Sequence, residues 1–170
     1  HSIGAVNISD KLVRPLRWQV SVFGFSAHTL DVRQNSEVVT RVLENIWSTL
    51  GTSIEPGSES WLEQIKTELV QPNLPTLDKS KLTEESIELI SLLELILTVQ
   101  NGPDPEAVGP FILSMTRSAA DILSVLLLAR YAGFGSEKLS LKVVPLFETI
   151  EDLDKAPEIL RQVFEFPIAA

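Results

Sequence analysis

Cysteine is absent from this 170-residue sequence, which excludes a disulfide framework and any zinc site built from thiolates. The absence fits a reducing compartment. Histidine is nearly absent, because His1 and His28 are the only two and lie too far apart in sequence to predict a zinc site. Glycine-rich loops of the GxGxxG or Walker type are also missing. The sequence therefore lacks the common short signals of a zinc or nucleotide site.

Positive charge is in short supply. The chain has 14 lysines and arginines against 23 aspartates and glutamates, which gives a net charge of -9. The corresponding pI is near 4.7. So acidic a protein does not attract a polyanion or release its counterions, and nucleic acid is therefore not an expected partner.

Long apolar runs are missing as well. The two most apolar segments, "ELISLLELILTVQ" and "ILSVLLLAR", are shorter than the roughly 20 residues that a membrane-spanning helix needs. The first residues show no basic stretch followed by an apolar core, so we expect no signal peptide. These patterns predict buried helices and no membrane partner. The sequence also begins without methionine, which suggests a processed or excised piece.

Three segments carry the pattern of β-strands. In "HTLDVRQ", 28–34, Leu30 and Val32 alternate with polar residues, whereas "PFILSMT", 110–116, and "LKVVPLF", 141–147, are short apolar runs. From the second strand onward the order is strand, helix, strand, helix, which is typical of parallel strands joined by helical crossovers. The sequence predicts a predominantly helical α/β fold, with the whole chain as one unit.

Five helices are predicted from amphipathic or apolar patterns that follow capping residues. Their predicted starts are Asn35 or Ser36, a Ser60–Glu63 capping box, Thr83, a Ser118–Asp121 capping box, and a point near Pro157. The first of them is expected to stop at Gly51. The helix from Thr83 to about Gln100 is apolar nearly all round, which predicts that it is buried.

Each predicted strand ends on polar side chains. The first ends at Arg33, the second at Thr116 and Arg117, and the third at Glu148. In parallel α/β barrels the working side chains lie at the carboxyl ends of the strands. Arginine offers a rigid fork of donors to a phosphate or carboxylate, and a glutamate oxygen suits Mg²⁺ or Mn²⁺. A catalytic interpretation would place an arginine and a carboxylate at one barrel mouth.

A purely structural interpretation accounts for the same residues. Asp31 and Arg33 lie on one face of a strand and could form a local ion pair. Glu148 could be a solvated carboxylate near a helix start, where the helix dipole favours negative charge. Thr149 and Asp152 have the spacing of a capping box, which strengthens that interpretation. From spacing alone, structure is favoured over catalysis.

Three ordered motifs resemble the phosphoenolpyruvate carboxylase family: "FGFSAHTLDVRQNSE", "FILSMTRSAADILSVLLLARYAGF" and "LKVVPLFETIEDLDKAPEIL". The resemblance implies a largely helical fold around an eight-stranded barrel, of which this chain would supply about three strands. It implies a cytoplasmic enzyme that uses Mg²⁺ or Mn²⁺ to carboxylate phosphoenolpyruvate with bicarbonate, giving oxaloacetate and phosphate. By resemblance, Glu148 matches a metal-binding glutamate. Arg33 matches a catalytic arginine that binds the substrate phosphate.

The sequence also departs from the family. The "TxHPT" segment with its catalytic histidine, the "GYSDSxKD" segment with a second metal carboxylate and a lysine, and the mobile glycine- and arginine-rich loop are not found in it. We therefore expect residues 1–170 to be a central fragment of the catalytic barrel and to be inactive alone. Neither Arg117 nor Asp121 acquires a direct role from the resemblance, and Asp121 is better explained as a capping carboxylate.

Cutting strands from a barrel leaves unpaired edges and exposed apolar helix faces. The resemblance therefore predicts a homo-oligomer, or association with the missing parts of the chain, unless helices cover the edges. An alternative hypothesis is a free-standing, non-catalytic interaction or ligand-binding domain of the same family. Coding sequence on both sides with the two missing motifs would support the fragment, and stop codons there would support the alternative.

Overall fold

The fold, taken from a computed structural model that describes residues 6–24, 29–135 and 139–166, is a mixed α/β structure with mostly helical content. This confirms the predicted α/β class. The helices are α1 Val6–Ile8, α2 Arg14–Phe23, α3 Ser36–Thr49, α4 Glu59–Leu69, α5 Glu84–Gln100, α6 Ala119–Tyr131 and α7 Ile150–Phe164; the strands are β1 Leu30–Asn35, β2 Val108–Ser114 and β3 Val143–Pro145. A π-helical stretch, Ser9–Val13, joins α1 to α2, and a 3-10 turn, Lys79–Lys81, precedes α5.

The three strands form one parallel sheet in the order β1-β2-β3. Arg33 pairs with Ile112, and Ile112 pairs in turn with Val144, so consecutive strands are neighbours. The prediction of parallel strands with helical crossovers is confirmed. Within the described residues the sheet is open, because β1 and β3 each have a single neighbour. Whether it belongs to a closed barrel stays a prediction.

Most helix starts lie where the capping residues predicted them. The Asn35 side chain accepts from Glu37 N and caps α3, and the Thr83 side chain accepts from Ser86 N and caps α5. A reciprocal capping box between Ser118 and Asp121 opens α6. These contacts span two or three residues, so the local sequence specifies them almost completely.

Two predicted helix starts were wrong. Helix α4 is capped by Ser58, whose side chain accepts from Trp61 N, and Ser60 is already inside the helix. Its cap is Ser58 because the backbone there is still extended, which aims the hydroxyl at the first free N–H groups. Helix α7 begins at Ile150 rather than near Pro157, because the capping box of Thr149 and Asp152 opens it seven residues earlier.

Helix α5 is not buried on all sides. Leu89, Leu93 and Ile96 lie in the core, but Leu95 is 58% exposed on the opposite face. The prediction failed because an apolar residue does not show whether another element covers it. Strand β3 is likewise shorter than the predicted 141–147 run, although backbone bonds continue the pairing beyond both of its ends.

The core lies between the sheet and helices α3, α4, α5 and α6. Trp47 of α3 and Trp61 of α4 meet edge to face with ring centroids 4.5 Å apart. Glu68, which is 7% exposed, accepts from Trp47 Nε1 at 3.1 Å and from the Tyr131 hydroxyl at 2.7 Å. A buried carboxylate therefore joins three helices, and its hydrogen bonds offset the cost of removing its charge from water.

Tyr131, the only tyrosine of the chain, should resist ionisation. Burial, followed by its contact with Glu68, raises the pKa of its phenol well above the ordinary value. The neutral phenol thus stabilises the fold fully below about pH 10, and this contribution is lost as pH rises through the folded pKa. In alkaline titration we expect tyrosinate absorbance at 295 nm to appear only as far-UV circular dichroism is lost. Ionisation near pH 10 with native dichroism would contradict this.

The N-terminal segment 6–24 exposes large apolar side chains. Leu16, Trp18 and Val22 are 60%, 61% and 74% exposed. No helix in the three described ranges is both long and apolar enough to cross a membrane. His1 and His28 lie outside the described residues, as does the start of the predicted first strand.

Candidate functional site

The carboxyl ends of the three strands bring Arg33 and Glu148 together. Arg33 is on β1, and Glu148 follows β3 and directly precedes Thr149, the N-cap of α7. Arg33 Nη2 lies 3.2 Å from Glu148 Oε1, although the two residues are 115 positions apart in sequence. The ion pair of Arg33 is thus formed with Glu148 and not, as the structural interpretation had it, with Asp31.

Glu148 is held from a second side by β2. Its Oε2 accepts a hydrogen bond of 2.8 Å from the backbone N–H of Met115, the residue that follows β2. The Glu148 side chain is 36% exposed, so its carboxylate is open to solvent on one side. One carboxylate oxygen therefore contacts the Arg33 guanidinium, and the other accepts from a backbone N–H. Segments from all three strand ends meet at this carboxylate.

The backbone beside the site is fixed by a buried serine. Ser36 Oγ, from the first residue of α3, donates to the Met115 carbonyl at 2.7 Å. Met115 has a φ of 57°, in the left-handed region that side chains other than glycine rarely adopt. Sequence reasoning missed both residues. Ser36 had been considered only as an alternative cap, and a left-handed methionine leaves no sequence signal.

Of the remaining polar residues after β2, Thr116 and Asp121 have structural roles. Thr116 is fully buried, and its hydroxyl donates to the Leu113 carbonyl at 2.9 Å. Asp121 Oδ2 accepts from the backbone N–H groups of Arg117 and Ser118, both at 2.9 Å, which confirms it as a capping carboxylate. The Arg117 side chain lies 3.8 Å from Glu37 in an exposed pair.

The donor set limits what the site could hold. Glu148 offers the hard oxygen atoms that Mg²⁺ and Mn²⁺ prefer. However, the described parts of the chain contain no cluster of three or more His, Cys, Asp or Glu side chains suited to a metal ion. A magnesium site keeps several waters and uses one or two carboxylates, so Glu148 fits as one ligand of an incomplete set.

In α/β proteins with parallel strands, ligands bind at the carboxyl edge of the sheet, and this is the edge at which Arg33 and Glu148 meet. The phosphoenolpyruvate carboxylase family model matches residues 1–170. The chain is 36% identical over 173 residues to phosphoenolpyruvate carboxylase of Methylorubrum extorquens, covering 95% of the chain and 19% of that protein. It is 34% identical over 176 residues to that of Prochlorococcus marinus subsp. pastoris, covering 97% and 17%.

The chain therefore belongs to the phosphoenolpyruvate carboxylase family. Both relatives are named as enzymes, and the chain matches only part of each. It spans less than a fifth of the length of the bacterial relative with which it shares 36% identity. The family prediction made from the three motifs is confirmed, whereas the roles assigned to Arg33 and Glu148 stay predictions.

Proposed function

We propose that this chain forms a central part, residues 1–170, of the catalytic barrel of a phosphoenolpyruvate carboxylase. The observation that carries the proposal is the 3.2 Å contact between Arg33 and Glu148 at the carboxyl ends of parallel strands. These are the two residues that the family motifs single out, and the fold brings them together from opposite ends of the chain. The partial barrel and the cytoplasmic location rest on family membership.

In the proposed reaction, phosphoenolpyruvate and bicarbonate give oxaloacetate and phosphate. Both reactants are anions, so an acidic protein must supply local positive charge where they meet. Arg33 would bind the substrate phosphate through its fork of N–H donors. Glu148 would be one ligand of Mg²⁺ or Mn²⁺, which supplies electrophilic stabilisation of developing negative charge when bound.

The Arg33–Glu148 ion pair suits both roles. In the structure the two side chains neutralise each other, and each remains partly exposed, at 58% for Arg33 and 36% for Glu148. An arriving phosphate can pair with Arg33 while an arriving cation pairs with Glu148. Two new ion pairs would then replace one, so neither charge is left unpaired when metal and substrate bind together.

The described residues supply only one carboxylate and one arginine to this site, so we expect the chain alone to make no oxaloacetate. The exposed apolar side chains of segment 6–24 and the open sheet edges need covering. We propose that other parts of the enzyme, or a second copy of it, pack on these surfaces.

Manganese binding tests the role of Glu148 in this chain. We expect Mn²⁺, titrated and followed by electron paramagnetic resonance, to bind weakly, and Glu148→Gln to weaken binding about tenfold or more, because the amide loses the charge that attracts the cation. The matched control is Glu151→Gln, three residues away and paired with Lys155 in an exposed salt bridge. Equal Mn²⁺ affinity in the chain and in Glu148→Gln would overturn the metal-ligand proposal.

A further inference from the structure

The backbone of Met115 is in a conformation that its side chain disfavours. Within the described residues, Met115 is the one non-glycine residue with a positive φ, at 57°. Left-handed backbone brings Cβ too close to a neighbouring carbonyl oxygen, so such a residue persists only where its surroundings hold it. Met115 lies beside a charged side chain, because its N–H contacts the Glu148 carboxylate.

Contacts on both sides hold Met115 in place. Its carbonyl accepts from the Ser36 hydroxyl at 2.7 Å, and Ser36 is only 5% exposed. The next residue, Thr116, donates its backbone N–H to the Leu146 carbonyl at 3.2 Å and its hydroxyl to Leu113 at 2.9 Å. The chain around Met115 is therefore tied to α3, to its own strand and to the segment after β3.

The Ser36 hydroxyl is not needed to cap its own helix. Asn35 caps α3, with its side chain accepting from Glu37 N at 2.8 Å. Ser36 instead reaches across to the residue that follows β2, 79 positions away in sequence. A helix-start serine that bonds another strand rather than its own helix serves the tertiary structure.

The effect of this backbone arrangement falls on Glu148. The left-handed φ of Met115 sets the orientation of its carbonyl, which Ser36 holds, relative to its N–H, which donates to Glu148 Oε2 at 2.8 Å. A hydrogen bond from a backbone N–H to an ionised carboxylate is stronger than a neutral one. The Glu148 carboxylate is restrained through Oε2 by Met115 and through Oε1 by Arg33. With Oε2 held in this way, Oε1 is directed to the position where Arg33 lies.

We propose that Ser36 and Met115 are positioning residues for Glu148: the Ser36 hydroxyl holds the left-handed Met115, whose N–H orients the carboxylate. Neither residue touches substrate or metal in this role. The purpose of this orientation, which is to hold a metal ligand ready, rests on the proposed function. The hydrogen-bonded chain from Ser36 through Met115 to Glu148 can be tested without any metal.

Met115 is the only methionine in the sequence, so labelling with ¹⁵N-methionine gives one backbone amide signal once any added start methionine has been removed. In Ser36→Ala we expect this signal to move upfield, because the bond to the charged carboxylate weakens, and to lose hydrogen-exchange protection. Since removing a partner that orients a ligand typically costs 10–100-fold in metal affinity, we expect Mn²⁺ to bind about tenfold more weakly.

Ser36→Thr keeps the hydroxyl and should restore the Met115 signal and the Mn²⁺ affinity. Thr67→Ala is the matched control, because Thr67 also donates a 2.7 Å hydroxyl bond to a backbone carbonyl, but within α4. It should leave the Met115 signal unchanged. If Ser36→Ala does not fold, Ser36→Cys keeps nearly the same volume with a weaker donor and supports the same comparison.

The outcomes separate the two proposals. A folded Ser36→Ala chain with unchanged Met115 shift, exchange and Mn²⁺ affinity would overturn the positioning role. If Glu148→Gln moves the Met115 signal but does not change Mn²⁺ affinity, the metal-ligand proposal fails, whereas the hydrogen bond from Met115 to Glu148 is supported. Loss of Mn²⁺ affinity in both Glu148→Gln and Ser36→Ala, with recovery in Ser36→Thr, would support both proposals.

Discussion

Glu148→Gln and Arg33→Gln, each placed in a complete enzyme, are expected to lower kcat/KM for phosphoenolpyruvate by about 100-fold or more. The complete enzyme can be a hybrid in which this chain replaces the matching segment of the Methylorubrum extorquens relative. Oxaloacetate formation is followed by its coupled reduction with NADH. The two variants should change different kinetic parameters, because Glu148 is proposed to bind the metal and Arg33 the phosphate.

Arg33→Gln should mainly raise KM for phosphoenolpyruvate, since it removes a charge that binds the ground-state phosphate. Glu148→Gln should instead raise the Mn²⁺ concentration needed for half-maximal rate. The matched control is Glu158→Gln with Arg161→Gln, an exposed glutamate–arginine pair of the same chemistry on α7. If the hybrid is active and either site variant stays within about twofold of it, the role proposed for that residue is contradicted.

Arg130→Met is expected to lower the free energy of unfolding by about 3 kcal/mol. Arg130 is 7% exposed and donates to three backbone carbonyls, those of Leu69, Gln71 and Pro72, at 3.0, 2.9 and 3.2 Å. Methionine fills similar space but leaves these oxygen atoms at the end of α4 without their donor. The bond to Leu69 is buried, whereas those to Gln71 and Pro72 are part-buried. A buried acceptor left without its donor costs about 1–3 kcal/mol, and a part-buried one costs less because water can replace the donor. The loss is partly offset because burying the guanidinium is itself unfavourable.

The measurement is urea unfolding followed by tryptophan fluorescence. An unchanged slope of the unfolding free energy against urea concentration would show that the two-state transition is preserved. The control is Arg117→Met, since Arg117 is 55% exposed and its contact with Glu37 is long, at 3.8 Å. We expect a change below about 0.5 kcal/mol there. Equal stability of the two variants would mean that Arg130 does not hold the end of α4.

Much of the local structure was predictable because its causes lie within a few residues. The capping box of Ser118 and Asp121 and the Asn35 cap follow from contacts over short spans. The presence of three strands, though not their bounds, follows from one alternating segment and two short apolar runs. The errors at Ser58 and at the start of α7 arose where two local signals competed. In both cases the residue that could bond the free N–H groups at the helix start prevailed.

The candidate site was predictable in its parts and its location at the strand ends, but not in its contacts. Polar residues at strand ends and the family motifs singled out Arg33 and Glu148 from the sequence. Their contact depends on the strand order and on the register of a parallel sheet, which no local pattern specifies. The role of Met115 was not predictable at all, because its left-handed backbone is imposed by neighbours that are distant in sequence.

Residue type and spacing were enough to identify the family, the α/β class, most helix starts and the two residues proposed for the site. Periodicity, caps and motifs record these properties directly, since each depends on residues that are close together along the chain. The contacts of Arg33 with Glu148, of Ser36 with Met115, and of Glu68 with Trp47 and Tyr131 became known from the folded structure. Those contacts join residues far apart in sequence, and packing brings them together.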